Sequence, residues 1–363
     1  PRAGVAPADL DTLRAWVAQA RRPLLLAGGS GWSDGALVAL RGFAQRQGWP
    51  LACAYRRGHL FDNTDPHYAG ELGIGIDPAL YEAVEAADLV IAINVRLGEL
   101  NTFGPGGFGG FKLLAARAGR RLAHLHPAAT ELQRAMPAEL PVACGPDEAL
   151  WALESLPAAA PEPGWLARCR AARQAWTSSG HCPGPLNLRE IFATLRQTLP
   201  PETVLTVGAG AYAVWLHRYF DLLTPRSLLG PKSGAMGYGL PAAIGAALAE
   251  PGRPVVAVAG DGCLMMHAEE LATAVQERLD LLVLVIDNQG YGAIRASQQR
   301  LFGQAMGTDL HNPDFVAFAR AFGALAERVE RTEDWLPTLQ RLWAAPGVRL
   351  IHLVMPASVS KPQ

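Results

Sequence analysis

Hydrophobic positions along this chain gather into short solid blocks. Residues 23–27 (Pro-Leu-Leu-Leu-Ala), 89–94 (Leu-Val-Ile-Ala-Ile-Asn) and 121–126 (Arg-Leu-Ala-His-Leu-His) form such runs in the first half, and residues 203–207, 255–259, 281–286 and 349–354 in the second. Unbroken aliphatic runs of this length fit strands buried on both faces, as in a parallel sheet. Between them lie stretches of helical character, such as residues 35–47, and residues 267–278, where Leu271, Ala274 and Val275 form one stripe. Another helix is expected after Asn312, which can cap it, with Pro313 in its first turn, Phe315, Phe318 and Phe322 on its apolar face and Gly323 at its end. The alternation predicts an α/β fold with two doubly wound parallel-sheet domains. Residues 156–164 (Leu-Pro-Ala-Ala-Ala-Pro-Glu-Pro-Gly) can neither continue a helix nor pair inside a sheet. They predict domains at 1–155 and 186–363, joined by a linker over 156–185.

A length of 363 residues agrees with two domains, and an apolar content of 50% excludes a disordered chain. Lys and Arg total 32 against 33 Asp and Glu, so there is no basic field for nucleic acid or an anionic membrane. A small neutral or anionic substrate remains open. No aliphatic run approaches the roughly 20 residues of a membrane span. Cys53, Cys144, Cys169, Cys182 and Cys263 are odd in number and never spaced as C-x-x-C, which predicts buried, idle thiols. The opening Pro1-Arg2-Ala3-Gly4 carries no charged-then-apolar leader and no methionine. The expected address is cytoplasmic, and the expected history that of a processed or truncated chain.

Ligands of open parallel sheets bind beyond the carboxyl ends of the strands. One such end reads Gly260-Asp261-Gly262 and the other Asp287-Asn288-Gln289-Gly290, with a crossover helix between them. A carboxylate and a carboxamide should therefore sit side by side, a hard-oxygen pair suited to Mg²⁺ held against phosphates. Gly260 and Gly262 would let backbone N–H groups approach those phosphates; equally, Asp, Asn and Gly are ordinary turn residues. Gly208-Ala-Gly-Ala-Tyr-Ala213 imitates a dinucleotide fingerprint, but no acidic residue closes a second strand about 20 positions on. His124 and His126 alternate on one strand and read as ordinary satisfied histidines. His59, Asp62, Asn63, Asp65 and His67 fit either a pocket rim or a turn, and Tyr291, Arg295 and Gln298 either a substrate-facing or a surface role.

Gly260-Asp261-Gly262, 25 residues, then Asn288 resembles the cofactor motif of thiamine diphosphate enzymes. Residues 233–246 (Ser-Gly-Ala-Met-Gly-Tyr-Gly-Leu-Pro-Ala-Ala-Ile-Gly-Ala), residues 260–275, Asn288 to Arg295 and Asn312 to Phe315 extend the likeness to acetolactate synthase large subunits and their relatives. It covers most of residues 186–355, and more weakly the first domain, which resembles the Rossmann-like central domain of that family. The resemblance implies thiamine diphosphate and Mg²⁺ as cofactors. It gives the metal to Asp261, the Asn288 side chain and the Gly290 backbone oxygen, and phosphate contacts to Gly208, Ala209, Gly210, Gly260, Gly262 and Cys263. Tyr291 would border the cofactor. Met236 would wedge beneath it and keep it bent, so that its aminopyrimidine reaches the thiazolium carbon.

The family's activating glutamate belongs to an N-terminal pyrimidine-binding domain without counterpart in these 363 residues. The chain alone is expected to be inactive until that domain is supplied. Leu100 stands where acetolactate synthases carry an acceptor-binding arginine, and Ala296-Ser297 follow Arg295 where they carry Gln-Trp. His124-Leu-His126-Pro127 replaces an Asp-rich stretch that contacts flavin, which argues against FAD. The implied activity is C–C bond cleavage or carboligation on a 2-oxoacid or 1,2-dione, as a transferase or lyase. Alternatives are a decarboxylase or dione hydrolase of the same family, a catalytically silent cofactor-binding fragment and, most distantly, a nicotinamide dehydrogenase. Family resemblance also implies a homodimer or homotetramer.

Overall fold

The computed structural model describes residues 4–102 and 112–362; the opening Pro1 to Ala3 lies outside them. The chain divides into two compact units between Ser178 and Ser179. Each is built, among the described residues, on one six-stranded parallel sheet with helices between its strands.

In the first unit the strands are β1 (Pro23–Ala27), β2 (Leu51–Cys53), β3 (Tyr68–Glu71), β4 (Leu89–Ile93), β5 (Arg121–Leu125) and β6 (Leu140–Val142), in the order β3-β2-β1-β4-β5-β6. The solid blocks that announced β1 and β4 are buried at every position, because helices cover both faces of the sheet. The helix Asp34–Gln47 starts where the Ser33 side chain accepts the Ala36 N–H, and ends at Gly48, whose φ of 65° favours glycine.

Of the stretch expected to be a linker, residues 156–178 pack with this unit and the remainder belongs to the second. Gln47 Nε2 donates to the Pro157 carbonyl at 2.9 Å, and the Ala159 N–H donates back to Gln47 Oε1 at 2.7 Å. Residues Trp165–Ser178 form a helix. Trp165 is buried in the core with Leu80 and Val84, and its Nε1 donates to the Pro23 carbonyl at 2.8 Å.

The second unit holds β7 (Val204–Val207), β8 (Leu228–Leu229), β9 (Val255–Gly260), β10 (Leu281–Asp287), β11 (Leu325–Val329) and β12 (Val348–Val354), ordered β11-β12-β10-β9-β7-β8. From β7 the chain runs to β8 on one side and then returns to β9 on the other. The strand order thus reverses between β7 and β9, and in open parallel sheets such a reversal is where ligands bind beyond the strand ends. The expected crossover helix is Glu270–Gln276, with Leu271 and Ala274 fully buried.

The helix expected after Asn312 begins later than its sequence suggests. It spans Phe315–Ala321, and its cap is Asp314, whose carboxylate accepts the N–H groups of Val316 and Ala317. A side chain one residue before the helix reaches those donors and Asn312 does not, so Asn312 is free for another partner.

Candidate functional site

Three neighbouring strands deliver the polar residues to one edge of the second sheet. β7 ends at Val207 and leads into Gly208, Ala209 and Gly210; β9 ends in Gly260 and Asp261; β10 ends in Asp287 and Asn288. Ile286 is registered against Gly260 in the parallel β9–β10 pair, so Asp261 and Asp287 leave the sheet side by side and Asn288 follows one residue further on.

Asp261 is 3% exposed. Its Oδ2 accepts the Gly290 N–H at 2.9 Å and an N–H of Asn312 Nδ2 at 2.8 Å. Burial raises its pKa; the bonds from Asn312 and the backbone work against the rise, and the nearby Asp287 charge adds to it. Asp287 is equally enclosed. Burial opposes its charge, but the hydrogen bond from His352 and the Gln289 N–H outweigh burial and hold its pKa below the usual carboxylate value. His352 Nε2 lies 2.9 Å from Asp287 Oδ2, while Asn312 Nδ2 and the Gln289 N–H each reach Asp287 Oδ1, at 2.8 and 2.9 Å.

Asn288 Nδ2 donates to the Val359 carbonyl at 2.6 Å, which leaves its Oδ1 as the oxygen with capacity for a ligand. The Gly290 carbonyl accepts the Gly292 N–H at 2.9 Å and keeps a second lone pair. Asp261, Asn288 and Gly290 thus bring carboxylate, carboxamide and carbonyl oxygens to one loop cluster, a donor set that fits Mg²⁺. Among the described residues no group of three or more His, Cys, Asp or Glu could hold a metal.

The glycines around this cluster are required by packing. A Cβ on Gly208 would lie 2.3 Å from Cys263 Sγ and 2.8 Å from the Tyr212 hydroxyl; on Gly260 it would meet the Tyr212 ring at 2.7 Å, and on Gly262 the Tyr291 ring at 2.7 Å. Cys263 is buried, and its sulfur accepts from the Tyr212 hydroxyl at 3.2 Å and from the Gly237 N–H at 3.3 Å. Burial pushes the Tyr212 phenol well above its usual pKa, so it stays a donor. The thiol is thereby engaged inside the fold. Met236 is half-buried against the core of this unit, immediately before Gly237, so Cys263 pins the loop that carries it.

Other sequence candidates are engaged within the protein. Arg295 donates to Ala357, Gln289 and Asp309, and Gln298 accepts the Met306 N–H. His124 is fully buried, with Nε2 donating to the Val95 carbonyl at 2.8 Å. Asp65 accepts from Arg41, Gln45 and His67, Asp62 accepts from Thr64, and Asn63 donates to Gly58 and Phe61, while the buried Nδ1 of His59 has no hydrogen-bond partner among the described residues. Asn312 and His352 were not candidates from the sequence, yet both reach into the carboxylate cluster.

Residues 208–353 match the C-terminal TPP binding domain of thiamine pyrophosphate enzymes, and residues 10–153 match their central domain. The chain belongs to the thiamine pyrophosphate enzyme family. It is 29% identical over 359 residues to the acetolactate synthase isozyme 2 large subunit of Escherichia coli, covering 95% of this chain and 62% of that protein. It is 30% identical over 377 residues to the probable chloroplastic acetolactate synthase 2 of Oryza sativa, covering 96% and 54%. A putative thiamine pyrophosphate-containing protein of Bacillus subtilis, YdaP, is 28% identical over 338 residues, covering 91% and 56%. The chain thus spans little more than half the length of these family members. Among the described residues no helix is long and apolar enough to cross a membrane.

Proposed function

We propose that this chain is the diphosphate- and Mg²⁺-binding part of a cytoplasmic thiamine diphosphate enzyme that cleaves or joins a C–C bond beside the carbonyl of a 2-oxoacid or 1,2-dione. One observation carries the reading: Asp261 and Asn288 follow the carboxyl ends of the adjacent strands β9 and β10, within the residues that match the cofactor-binding domain. When bound, the cofactor supplies a carbon nucleophile and an electron sink for the bond beside the carbonyl. The chain's own residues bind and orient it. Asp261, Asn288 Oδ1 and the Gly290 carbonyl hold Mg²⁺; the backbone N–H groups of Gly208, Ala209, Gly210, Gly262 and Cys263 face the phosphates; Met236 and Tyr291 shape the cofactor's seat.

The activating glutamate comes, on this reading, from a pyrimidine-binding domain on the same longer protein or on another chain, and the active assembly is a homodimer or homotetramer. Leu100 and Ser297 favour a cleavage or ligation other than acetolactate formation, because the arginine and tryptophan expected from the resemblance are replaced there. FAD has no part in the reading. In the first unit Asn94 Nδ2 donates to the Ser30 carbonyl at 2.7 Å, and Asp147 bonds Ser33 at the N-terminus of the helix Asp34–Gln47.

Calorimetric titration with thiamine diphosphate, with and without Mg²⁺, tests the reading on the chain and on Asp261→Ala. The expected result is Mg²⁺-dependent binding that the variant loses. Binding that ignores both Mg²⁺ and the substitution would show that the cofactor is not held through this site.

A further inference from the structure

We infer that Asn312 is a positioning residue for the cation site and that the buried Asp287–His352 pair is its anchor; this rests on the proposed function and deepens it. Two buried carboxylates at the ends of adjacent strands repel each other, and a single nitrogen reaches both. Asn312 Nδ2 lies 2.8 Å from Asp261 Oδ2 and 2.8 Å from Asp287 Oδ1, so its two hydrogens cross-link the carboxylates. Asp261 Oδ2 also takes the Gly290 N–H. With two donors on that oxygen, Gly290 and Asn312 fix the orientation of the carboxylate that would meet a cation.

Asp287 differs in kind. Its Oδ1 is occupied by Asn312 and Gln289 and its Oδ2 by His352, so both oxygens are committed within the protein. One carboxylate is thereby a ligand and the other a support. The support is itself held: the Phe315 ring meets the His352 ring edge to face at 5.1 Å between centroids, and Phe315 opens the helix that follows Asn312. Asp314 caps that helix, so the Asn312 side chain has no part in starting it. Its work is the cross-link.

The test is titration with Mn²⁺ in the presence of thiamine diphosphate, following free Mn²⁺ by electron paramagnetic resonance, on the unmodified chain and on Asn312→Ala, Asn312→Ser and Asp314→Ala. Removing a group that orients a metal ligand costs about 10–100-fold in metal affinity. Asn312→Ala is expected to weaken Mn²⁺ by at least about tenfold. Asn312→Ser, too short to reach both carboxylates, does the same and serves where the alanine variant does not fold. Asp314→Ala loosens the same loop and is expected to keep the original affinity. Unchanged affinity in the Asn312 variants, or an equal loss in Asp314→Ala, overturns the inference while the functional reading stands. Absence of cofactor-dependent Mn²⁺ binding in the unmodified chain overturns both.

Discussion

Two fully or nearly fully buried histidines have opposite surroundings, and their chemistry follows. His352 faces the Asp287 carboxylate. His124 has only the Val95 carbonyl on Nε2, and its Nδ1 has no hydrogen-bond partner among the described residues. Burial lowers the pKa of His124; the Val95 carbonyl offsets part of this, the neighbouring His126 deepens it, and Glu131 opposes it. In the unfolded chain the same ring titrates near 6.5. Below that pH the unfolded state holds the extra proton first, so the stability contributed by neutral His124 is full above about 6.5 and is lost as pH falls toward the folded value. Urea midpoints measured between pH 7.5 and 5 are expected to decline less steeply for His124→Gln than for the parent; parallel declines would show that this ring does not set the slope. The residue scale is also where the sequence was least legible. Asp261 and Asn288 stand out because polar residues at the ends of solid aliphatic strands have no core role. Asn312 and His352 do not, because their partners lie 51 and 65 residues away, and Asn-Pro before an apolar run reads locally as a helix start.

At the scale of elements, legibility followed burial. β1, β4, β5, β7, β9, β10 and β12 were foreseen from aliphatic runs, since strands covered on both faces are mostly apolar. β2 and β3, which carry Cys, Gly and Glu, β6 with its central proline, the two-residue β8, and the edge strand β11, half of it exposed, carry no such pattern. Helix Phe315–Ala321 shows how a local signal is decided by reach: both Asn312 and Asp314 are capping residue types, and the one bonded to Val316 and Ala317 is Asp314. Removing such a cap typically destabilises by an amount that moves the midpoint of a unit this size by about 2–4 °C. Asp314→Ala is therefore expected to lower the thermal midpoint of the second unit by a few degrees, followed by circular dichroism. No shift would mean that the helix starts without its cap, and would remove Asp314→Ala as the loop-loosening control for Asn312.

For the whole molecule, the two-sheet plan was legible from the alternation of runs, while the join between the units was not. Proline and alanine at residues 156–164 marked a break in regular structure, and a break in regular structure is not a break in packing. After it the chain still lies on the first unit: Glu162 N–H donates to the Arg21 carbonyl, Trp165 and Cys169 are buried beside β3 and the helix Pro78–Ala86, and the Arg173 guanidinium sits 5.4 Å over the Tyr68 ring. The physical boundary this implies can be tested by cutting. A fragment of residues 1–178 keeps the helix Trp165–Ser178 and is expected to unfold in one cooperative urea transition. A fragment of residues 1–155 loses it and uncovers the apolar surface that Trp165 seals. Losing a buried tryptophan alone costs about 3–5 kcal/mol, a large part of the roughly 5–15 kcal/mol that holds a domain together. The shorter fragment is thus expected to unfold at a clearly lower urea midpoint or to aggregate. Equal midpoints for the two fragments would return residues 156–178 to the role of a linker, and with them the first unit's boundary to the composition break near residue 155.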